Sequence, residues 1–323
     1  MAEIKAAGRA RVRAAKEALA VEEAAHQKAA ALWASAFDFV YDSSVAGSTA
    51  RGSDFMNIDG RAVLVLVPGF SSWRSLTQAH VERWRAAAVL EARPTERRPS
   101  SLVFKWPCGE VRWKAEDAQV EAAAAWQEAH EATFAAARSL TLLLKKLEAL
   151  GCSVVVVAHS LGARVALQAL ANDLAAPRIR SLLLLGGAVD NHALTGKSGP
   201  SNEINGFAFA EPGSAPAEFP FHRLLGKCAS LTIAHSARDS TLASLWPAAE
   251  YARCGRLAPP ALGLSGPTME EMERQPAEGM ERVVLLNVTE EVGVAHDPTE
   301  YLLSGGVQAA LHAALYPDSR PAQ

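Results

Sequence analysis

Short apolar runs alternate with longer helical patterns along most of the chain. The run Ala62–Val67 is continuously apolar, which is typical of a strand covered on both faces of a sheet. Runs of this kind predict strands at residues 62–67, 102–105, 154–157, 181–185, 231–234 and 282–287. Helical patterns between and after them cover about residues 77–90, 116–150, 161–174 and 298–315. This alternation predicts an α/β fold built on a doubly wound, mostly parallel sheet.

The first 41 residues have a different composition. They are dominated by Ala, Glu, Lys and Arg, a strongly helix-forming mixture, and predict an N-terminal helical extension at 1–41. A polar, turn-rich run at residues 42–49 follows, so we expect the main domain to occupy 42–323. An alternative role for the extension is a coiled coil that binds a partner or forms a helix-mediated oligomer.

A second departure lies at about residues 191–222, where a crossover helix would be expected. The segment is rich in Gly and Pro and carries four aromatic residues, namely Phe207, Phe209, Phe219 and Phe221. Loops of this length are commonly lids or binding loops, so the segment predicts a lid-like insertion. The alternative is an inert surface excursion.

Composition excludes several classes of function. The net charge of −3 on 323 residues and the absence of a basic stripe argue against nucleic-acid binding. The four cysteines lack the spacing of a zinc site, so no metal is expected. No apolar stretch reaches the ~20 residues of a membrane span, and the N-terminus lacks the apolar core of a signal peptide. We therefore expect a soluble, cytoplasmic protein without a transmembrane segment.

The most informative motif lies at residues 157–163, between a buried strand and a helix. Ser160 stands two residues after Ala158 and two before Gly162, which is the spacing of a nucleophile elbow, with Ala158 in place of the first glycine. Small neighbours allow a tight turn that lifts the serine hydroxyl above the ends of the strands. The motif predicts a nucleophilic Ser160; the alternative is an inert serine in a tight turn.

A serine nucleophile needs a base, and the base needs a carboxylate. His296 follows the last predicted strand in a loop and is the expected base, whereas His312 lies within the last predicted helix and His159 should point away from the nucleophile. Two acids compete for the third role. Asp239 follows the strand 231–234 and is preferred, and Asp190 follows the strand 181–185 and is the alternative.

An oxyanion formed on a substrate carbonyl needs hydrogen-bond donors that already point at it. The backbone N–H of Leu161, directly after the nucleophile, is one expected donor. The loop Pro68-Gly69-Phe70 follows the first strand, and the N–H of Phe70 is the other.

With these motifs the chain resembles the α/β-hydrolase superfamily, the lipase and esterase fold, over about residues 59–315. Within it the chain is most similar to a largely uncharacterised bacterial-type group of α/β-hydrolase proteins. The resemblance lies in four segments, with Pro68 and Cys108 as departures from the group's pattern: Pro68-Gly69-Phe70, Trp106-Pro107-Cys108-Gly109, Ala158-His159-Ser160-Leu161-Gly162 and Arg238-Asp239-Ser240-Thr241-Leu242. It implies a serine hydrolase and supports Asp239 as the acid.

The predicted function is cleavage of a carboxylic ester through a Ser-His-Asp triad, without a cofactor. The substrate would be a small-molecule or lipid-like ester with an apolar acyl group. The side chains expected to contact that group are aromatic: Phe207, Phe209, Phe219, Phe221 and Trp246. Two alternatives stay open: a thioesterase or acyltransferase with the same triad, and a non-catalytic hydrolase-fold protein that binds a ligand or another protein.

Overall fold

In the computed structural model of the chain, the described residues are 62–70, 84, 87, 99–106, 108, 118–171, 176–192, 221–255, 257–268 and 280–317. The predicted N-terminal extension at 1–41 lies outside them, as does most of the predicted insertion at about residues 191–222, with Phe207, Phe209 and Phe219. The division into an extension and a catalytic domain with a lid-like insertion therefore stays a prediction.

The described residues contain six strands that form one parallel sheet. The strands are β1 Ala62–Val67, β2 Ser100–Val103, β3 Ser153–His159, β4 Ile179–Leu185, β5 Cys228–His235 and β6 Val283–Asn287. Their order across the sheet is β2-β1-β3-β4-β5-β6, and every neighbouring pair is parallel. The predicted α/β fold class is confirmed.

Helices connect and cover the strands. They are α1 Ala118–Ala149, α2 Gly162–Ala171, α3 Phe221–Lys227, α4 Ser240–Cys254, α5 Leu262–Ser265, α6 Thr289–Val292, α7 Pro298–Leu303 and α8 Gly305–Leu315, with a 3-10 turn at Met280–Arg282. The 32-residue α1 is followed by Gly151, which has a φ of +70°, as expected of a glycine that terminates a helix.

Side chains of β1 alternate between two hydrophobic cores, because successive residues of a strand point to opposite faces. Val63 and Val65 pack in the core formed with α1, α2, α3 and α4, whereas Leu64 and Leu66 pack in the core formed with α7 and α8. All four are essentially inaccessible to solvent. Helices thus cover both faces of the sheet, which explains why its strands are continuously apolar.

Several local predictions were wrong. Strands β4 and β5 begin at Ile179 and Cys228, two and three residues earlier than predicted. The helix expected over residues 298–315 is interrupted at Ser304, whose extended backbone (φ −60°, ψ 134°) separates α7 from α8. Strand β2 begins at Ser100, two residues earlier than predicted. The segment between β6 and His296 was expected to be a loop throughout, but it contains the short helix α6.

Candidate active site

Ser160 lies at the sharp corner between β3 and α2. Its φ is 53°, the one positive φ of a non-glycine residue within the described part of the chain. The backbone N–H of Ser160 donates to the Leu185 carbonyl at 3.0 Å, and its carbonyl accepts from the amides of Ala163 and Ala188, each at 3.0 Å. Bonds to β4, to the segment after it and to α2 thus fix an unfavourable backbone conformation, as in a nucleophile elbow.

Glycines let the chain approach this corner closely. A Cβ on Gly162 would lie 2.4 Å from the Val67 carbonyl oxygen, so α2 can begin against the end of β1 only with glycine there. A Cβ on Gly69 would lie 2.5 Å from the Cβ of Ser160 and 3.1 Å from its Oγ. Ala158, which replaces the usual glycine, is fully buried and is accommodated within the turn.

The loop after β1 therefore runs directly beside the Ser160 hydroxyl. Trp106, fully buried, donates from its indole Nε1 to the Pro68 carbonyl at 2.8 Å and anchors this loop. Among the residues that the structure describes, neither the backbone N–H of Phe70 nor that of Leu161 donates a hydrogen bond. The two backbone N–H groups predicted to bind the oxyanion are therefore available to a further acceptor.

His296 bridges Ser160 and Asp239. Its Nε2 lies 2.9 Å from Ser160 Oγ, and its Nδ1 lies 2.6 Å from Asp239 Oδ2. The His296 side chain is 13% exposed, whereas the Asp239 side chain is fully buried. The structure thus brings together the predicted nucleophile, base and preferred acid in one hydrogen-bonded chain.

The loops that carry the acid and the base are tied to each other. Asp239 caps the N-terminus of α4, since its Oδ1 accepts the backbone N–H of Leu242 at 3.0 Å. The Ser236 hydroxyl donates to the Gly293 carbonyl at 2.7 Å, and the Ser240 N–H donates to the Val294 carbonyl at 3.2 Å. These bonds hold the segment before His296 against the end of β5.

The side chains of Tyr301 and His159 pack next to the hydrogen-bonded Ser160, His296 and Asp239. The hydroxyl of Tyr301, on α7, donates to Asp239 Oδ2 at 2.9 Å, and its side chain is fully buried. The ring of His159 lies 4.7 Å from that of His296 and 6.1 Å from that of Tyr301, measured between centroids. Burial, and next the neighbouring His296, lower the pKa of His159 well below its usual value, which keeps the imidazole neutral.

Asp190, the alternative acid, lies in a different environment. It is buried, and its Oδ1 accepts the backbone N–H of His192 at 2.8 Å. Burial lowers the pKa of the nearby Arg164 guanidinium to about 9; Glu250 raises that pKa, Arg253 lowers it and Asp190 raises it. Asp190 thus contributes, less than Glu250 does, to the charge environment of a buried arginine, whereas Asp239 is the carboxylate that contacts His296.

A pocket of about 300 Å³ opens beside Ser160 and His296. Besides these two it is lined by Phe70, Trp126, Ala188, Thr241, Leu242, Leu245 and Trp246. The rings of Phe70 and Trp126 meet edge-to-face at 5.1 Å, and those of Trp126 and Trp246 meet at 5.9 Å. Both indole N–H groups donate to protein acceptors, to Glu250 and to the Pro259 carbonyl. The indoles therefore contribute apolar surface to the pocket.

Of the aromatic residues predicted to contact substrate, Trp246 lines this pocket. Phe207, Phe209 and Phe219 lie outside the described residues, and Phe221 begins α3. Sequence reasoning missed Trp126, Leu245 and Tyr301, because each lies within a helical pattern that indicates packing as readily as a site.

Among the described residues, no cluster of three or more His, Cys, Asp or Glu side chains could hold a metal ion. None of the described helices combines the length and apolarity needed to cross a membrane.

Comparisons with known proteins give similarity to solved structures at low sequence identity. No family model matches the chain, and no curated protein matches it. The chain is similar to TT1662 from Thermus thermophilus (19% identity, 81% of this chain and 91% of that chain, TM-score 0.35). It is also similar to a thermostable esterase from Pseudomonas putida (14% identity over 80% of this chain and 74% of that chain, TM-score 0.38). A further similar structure is that of the isopeptidase AtxE2 (18% identity over 82% of this chain and 37% of that chain, TM-score 0.41).

The arrangement of the elements identifies the fold. A parallel sheet, a serine at the turn between a strand and the following helix, and an acid and a histidine after later strands, in that chain order, define the α/β-hydrolase fold.

Proposed function

We propose that the protein is a serine hydrolase that cleaves a carboxylic ester through an acyl-enzyme intermediate. One observation carries the proposal: Ser160 Oγ, His296 and Asp239 form a continuous hydrogen-bonded chain with contacts of 2.9 and 2.6 Å. Both distances suit proton transfer from the serine to a histidine that a carboxylate orients. The strained backbone at Ser160 supports the same role, since a φ of 53° presents the hydroxyl at the elbow.

In the proposed reaction, Ser160 Oγ attacks the ester carbonyl while His296 Nε2 accepts the hydroxyl proton. The buried Asp239 carboxylate holds the His296 Nδ1–H and stabilises the imidazolium. The backbone N–H groups of Phe70 and Leu161 donate to the oxyanion, which can contribute several kcal/mol per donor. His296 then protonates the leaving alcohol, and water attacks the acyl-enzyme by the same route, which releases the acid and regenerates Ser160.

The pocket supports an apolar acyl group as the part of the substrate that is recognised. Phe70, Trp126 and Trp246 form its aromatic wall, and Leu242 and Leu245 add aliphatic surface. Apart from Ser160, His296 and Thr241, the side chains that line the pocket are apolar, and such a surface selects a substrate group by burial of apolar area. The same triad would serve a thioesterase or an acyltransferase, and the pocket would bind the acyl group in the same way in each of them.

A fluorophosphonate probe tests the proposal, because it reacts covalently with activated serines. We expect the wild-type protein to be labelled and Ser160→Ala to be unlabelled. Ser244→Ala is a matched control on α4, where the Ser244 hydroxyl donates to the Ser240 carbonyl, and it should be labelled like the wild type. An unlabelled wild type, or equal labelling of Ser160→Ala, would refute the enzyme hypothesis and favour a ligand-binding protein.

A further inference from the structure

The Asp239 carboxylate accepts more hydrogen bonds than the orientation of His296 requires. Its Oδ2 accepts from two side chains, His296 Nδ1 at 2.6 Å and the Tyr301 hydroxyl at 2.9 Å, and its Oδ1 accepts the Leu242 amide at 3.0 Å. His296 and Tyr301 thus share one oxygen of a fully buried carboxylate. In such an environment a donor to a charged group interacts strongly with it.

The surrounding residues are built to hold the Tyr301 ring in this position. Gly186, directly after β4, has a φ of +51°, and a Cβ there would lie 3.0 Å from the Tyr301 hydroxyl and from the ring carbon that bears it. Glycine therefore makes room for the phenol while adopting a backbone conformation that other residues disfavour. His159 packs against both Tyr301 and His296, which leaves the phenol little freedom to turn away.

The phenol also stays a donor at every pH at which the protein would work. Burial, and next the Asp239 charge, raise the pKa of Tyr301 far above its ordinary value. The hydroxyl therefore keeps its proton and stays a donor to Asp239.

We propose that Tyr301 is a positioning residue that shares the charge of Asp239 with His296 and so sets the pH at which His296 becomes free to act as a base. This inference rests on the proposed function, since it concerns the same triad. With the phenol in place, part of the carboxylate's charge is engaged by Tyr301, and the imidazolium is stabilised less. Without it, Asp239 interacts more strongly with protonated His296, which then releases its proton only at higher pH.

Other groups near His296 constrain the test. Among the described residues, Asp239 from the loop after β5 contacts the imidazole directly, the ring of His159 from β3 packs against it, and Tyr301 from α7 contacts the same oxygen of Asp239. Asp297, the next residue in the chain, accepts the Thr299 amide at 2.7 Å and caps α7. A change in the pH profile on removal of one hydroxyl therefore reports on Tyr301 and Asp239.

The test is the pH dependence of kcat/KM for a p-nitrophenyl ester, because its acid limb reports the ionisation of the base in the free enzyme. In Tyr301→Phe we expect the midpoint of the acid limb to move up by about one pH unit, which corresponds to about 1.4 kcal/mol of stronger pairing between Asp239 and protonated His296. Tyr251→Phe removes the hydroxyl of a tyrosine on α4 that is 55% exposed, and its profile should coincide with that of the wild type.

A purely structural role for Tyr301 would lower the thermal midpoint, or lower activity equally at every pH, and leave the acid limb in place; that result overturns the proposal. Fluorophosphonate labelling at the alkaline end of the profile checks that Tyr301→Phe is folded. The outcome also separates the two proposals. A reactive wild type with an unmoved limb in Tyr301→Phe refutes only the role of Tyr301, whereas an unreactive wild type refutes the hydrolase itself.

Discussion

Replacing Asp239 by Asn tests whether Asp239 is the acid of the proposed triad, with almost no change in side-chain volume. Asp239 accepts three hydrogen bonds, from His296, from Tyr301 and from the Leu242 amide. An Asn side chain offers one oxygen and one NH₂ group. If the oxygen keeps the Leu242 amide, the NH₂ group faces His296 Nδ1, which must then act as an acceptor. The proton of the neutral imidazole moves to Nε2, and Nε2 can no longer accept the proton of Ser160.

The size of the effect follows from this change of tautomer. In a triad of this geometry, the wrong tautomer lowers kcat by about 10⁴-fold, which corresponds to about 5.5 kcal/mol of transition-state stabilisation. The fold should survive, because Asn caps a helix N-terminus about as well as Asp. The mismatch with buried donors should lower the free energy of unfolding by about 1–3 kcal/mol.

The assay compares Asp239→Asn with Asp190→Asn, using hydrolysis of a short p-nitrophenyl ester and urea unfolding. Asp190 is buried and accepts the His192 amide, so Asp190→Asn should lower the unfolding free energy. Because Asp239 is the carboxylate that contacts His296, kcat/KM of Asp190→Asn should stay within about tenfold of the wild type. If Asp239→Asn keeps near-wild-type turnover while Asp190→Asn abolishes it, Asp190 is the acid and the reasoning above fails.

Two further predictions concern the pocket and the buried histidines. Leu245→Trp should narrow the pocket and lower the ratio of kcat/KM for p-nitrophenyl octanoate to kcat/KM for p-nitrophenyl acetate by about 10–200-fold. Leu142→Trp, at a residue of α1 that is 55% exposed, is the control and should leave this ratio unchanged. An unchanged ratio in both variants would exclude Leu245 from acyl recognition. Burial lowers the pKa of both His130 and His159 well below the ordinary value of 6.5. Below pH 6.5 the unfolded chain therefore binds more protons than the folded protein does. The free energy of unfolding should fall as the pH drops below 6.5, by up to about 1.4 kcal/mol per pH unit for each histidine. Urea unfolding between pH 7 and 5 measures this slope, and a slope that His130→Gln does not reduce would contradict the assignment.

Most strands, together with Ser160 and His296, were predictable from signals in the sequence. Short β-branched apolar runs bounded by turn residues indicate buried strands, and the elbow spacing at Ser160 is strongly constrained by its turn. Asp239 and His296 were predicted as candidates because the loops after parallel strands all lie at the same edge of the sheet. The choice between Asp239 and Asp190 needed the structure, since both acids follow buried strands.

Other features carry no such signal. Ser100 and Ser101 are polar yet buried in β2, so hydropathy placed the start of this strand too late. Tyr301 lies on the buried side of α7, where an aromatic residue is ordinary core, and only the three-dimensional contact with Asp239 distinguishes it. Trp126 lies 124 residues before its hydrogen-bond partner Glu250 and could not be assigned to the pocket from its neighbours.

The contact between His296 and Ser160 joins residues 136 positions apart, and it exists only when β3, β5 and β6 have all taken their places in the sheet. Closing so long a stretch of chain has an entropic cost that local helix formation does not have, and contacts at such separation slow folding. If the proposed function is correct, hydrolysis requires the completed sheet, and its return after denaturation should trail the return of helical structure. A chain in which β6 had not yet docked would present Ser160 without His296, so the proposed serine would become reactive only at the last stage of folding.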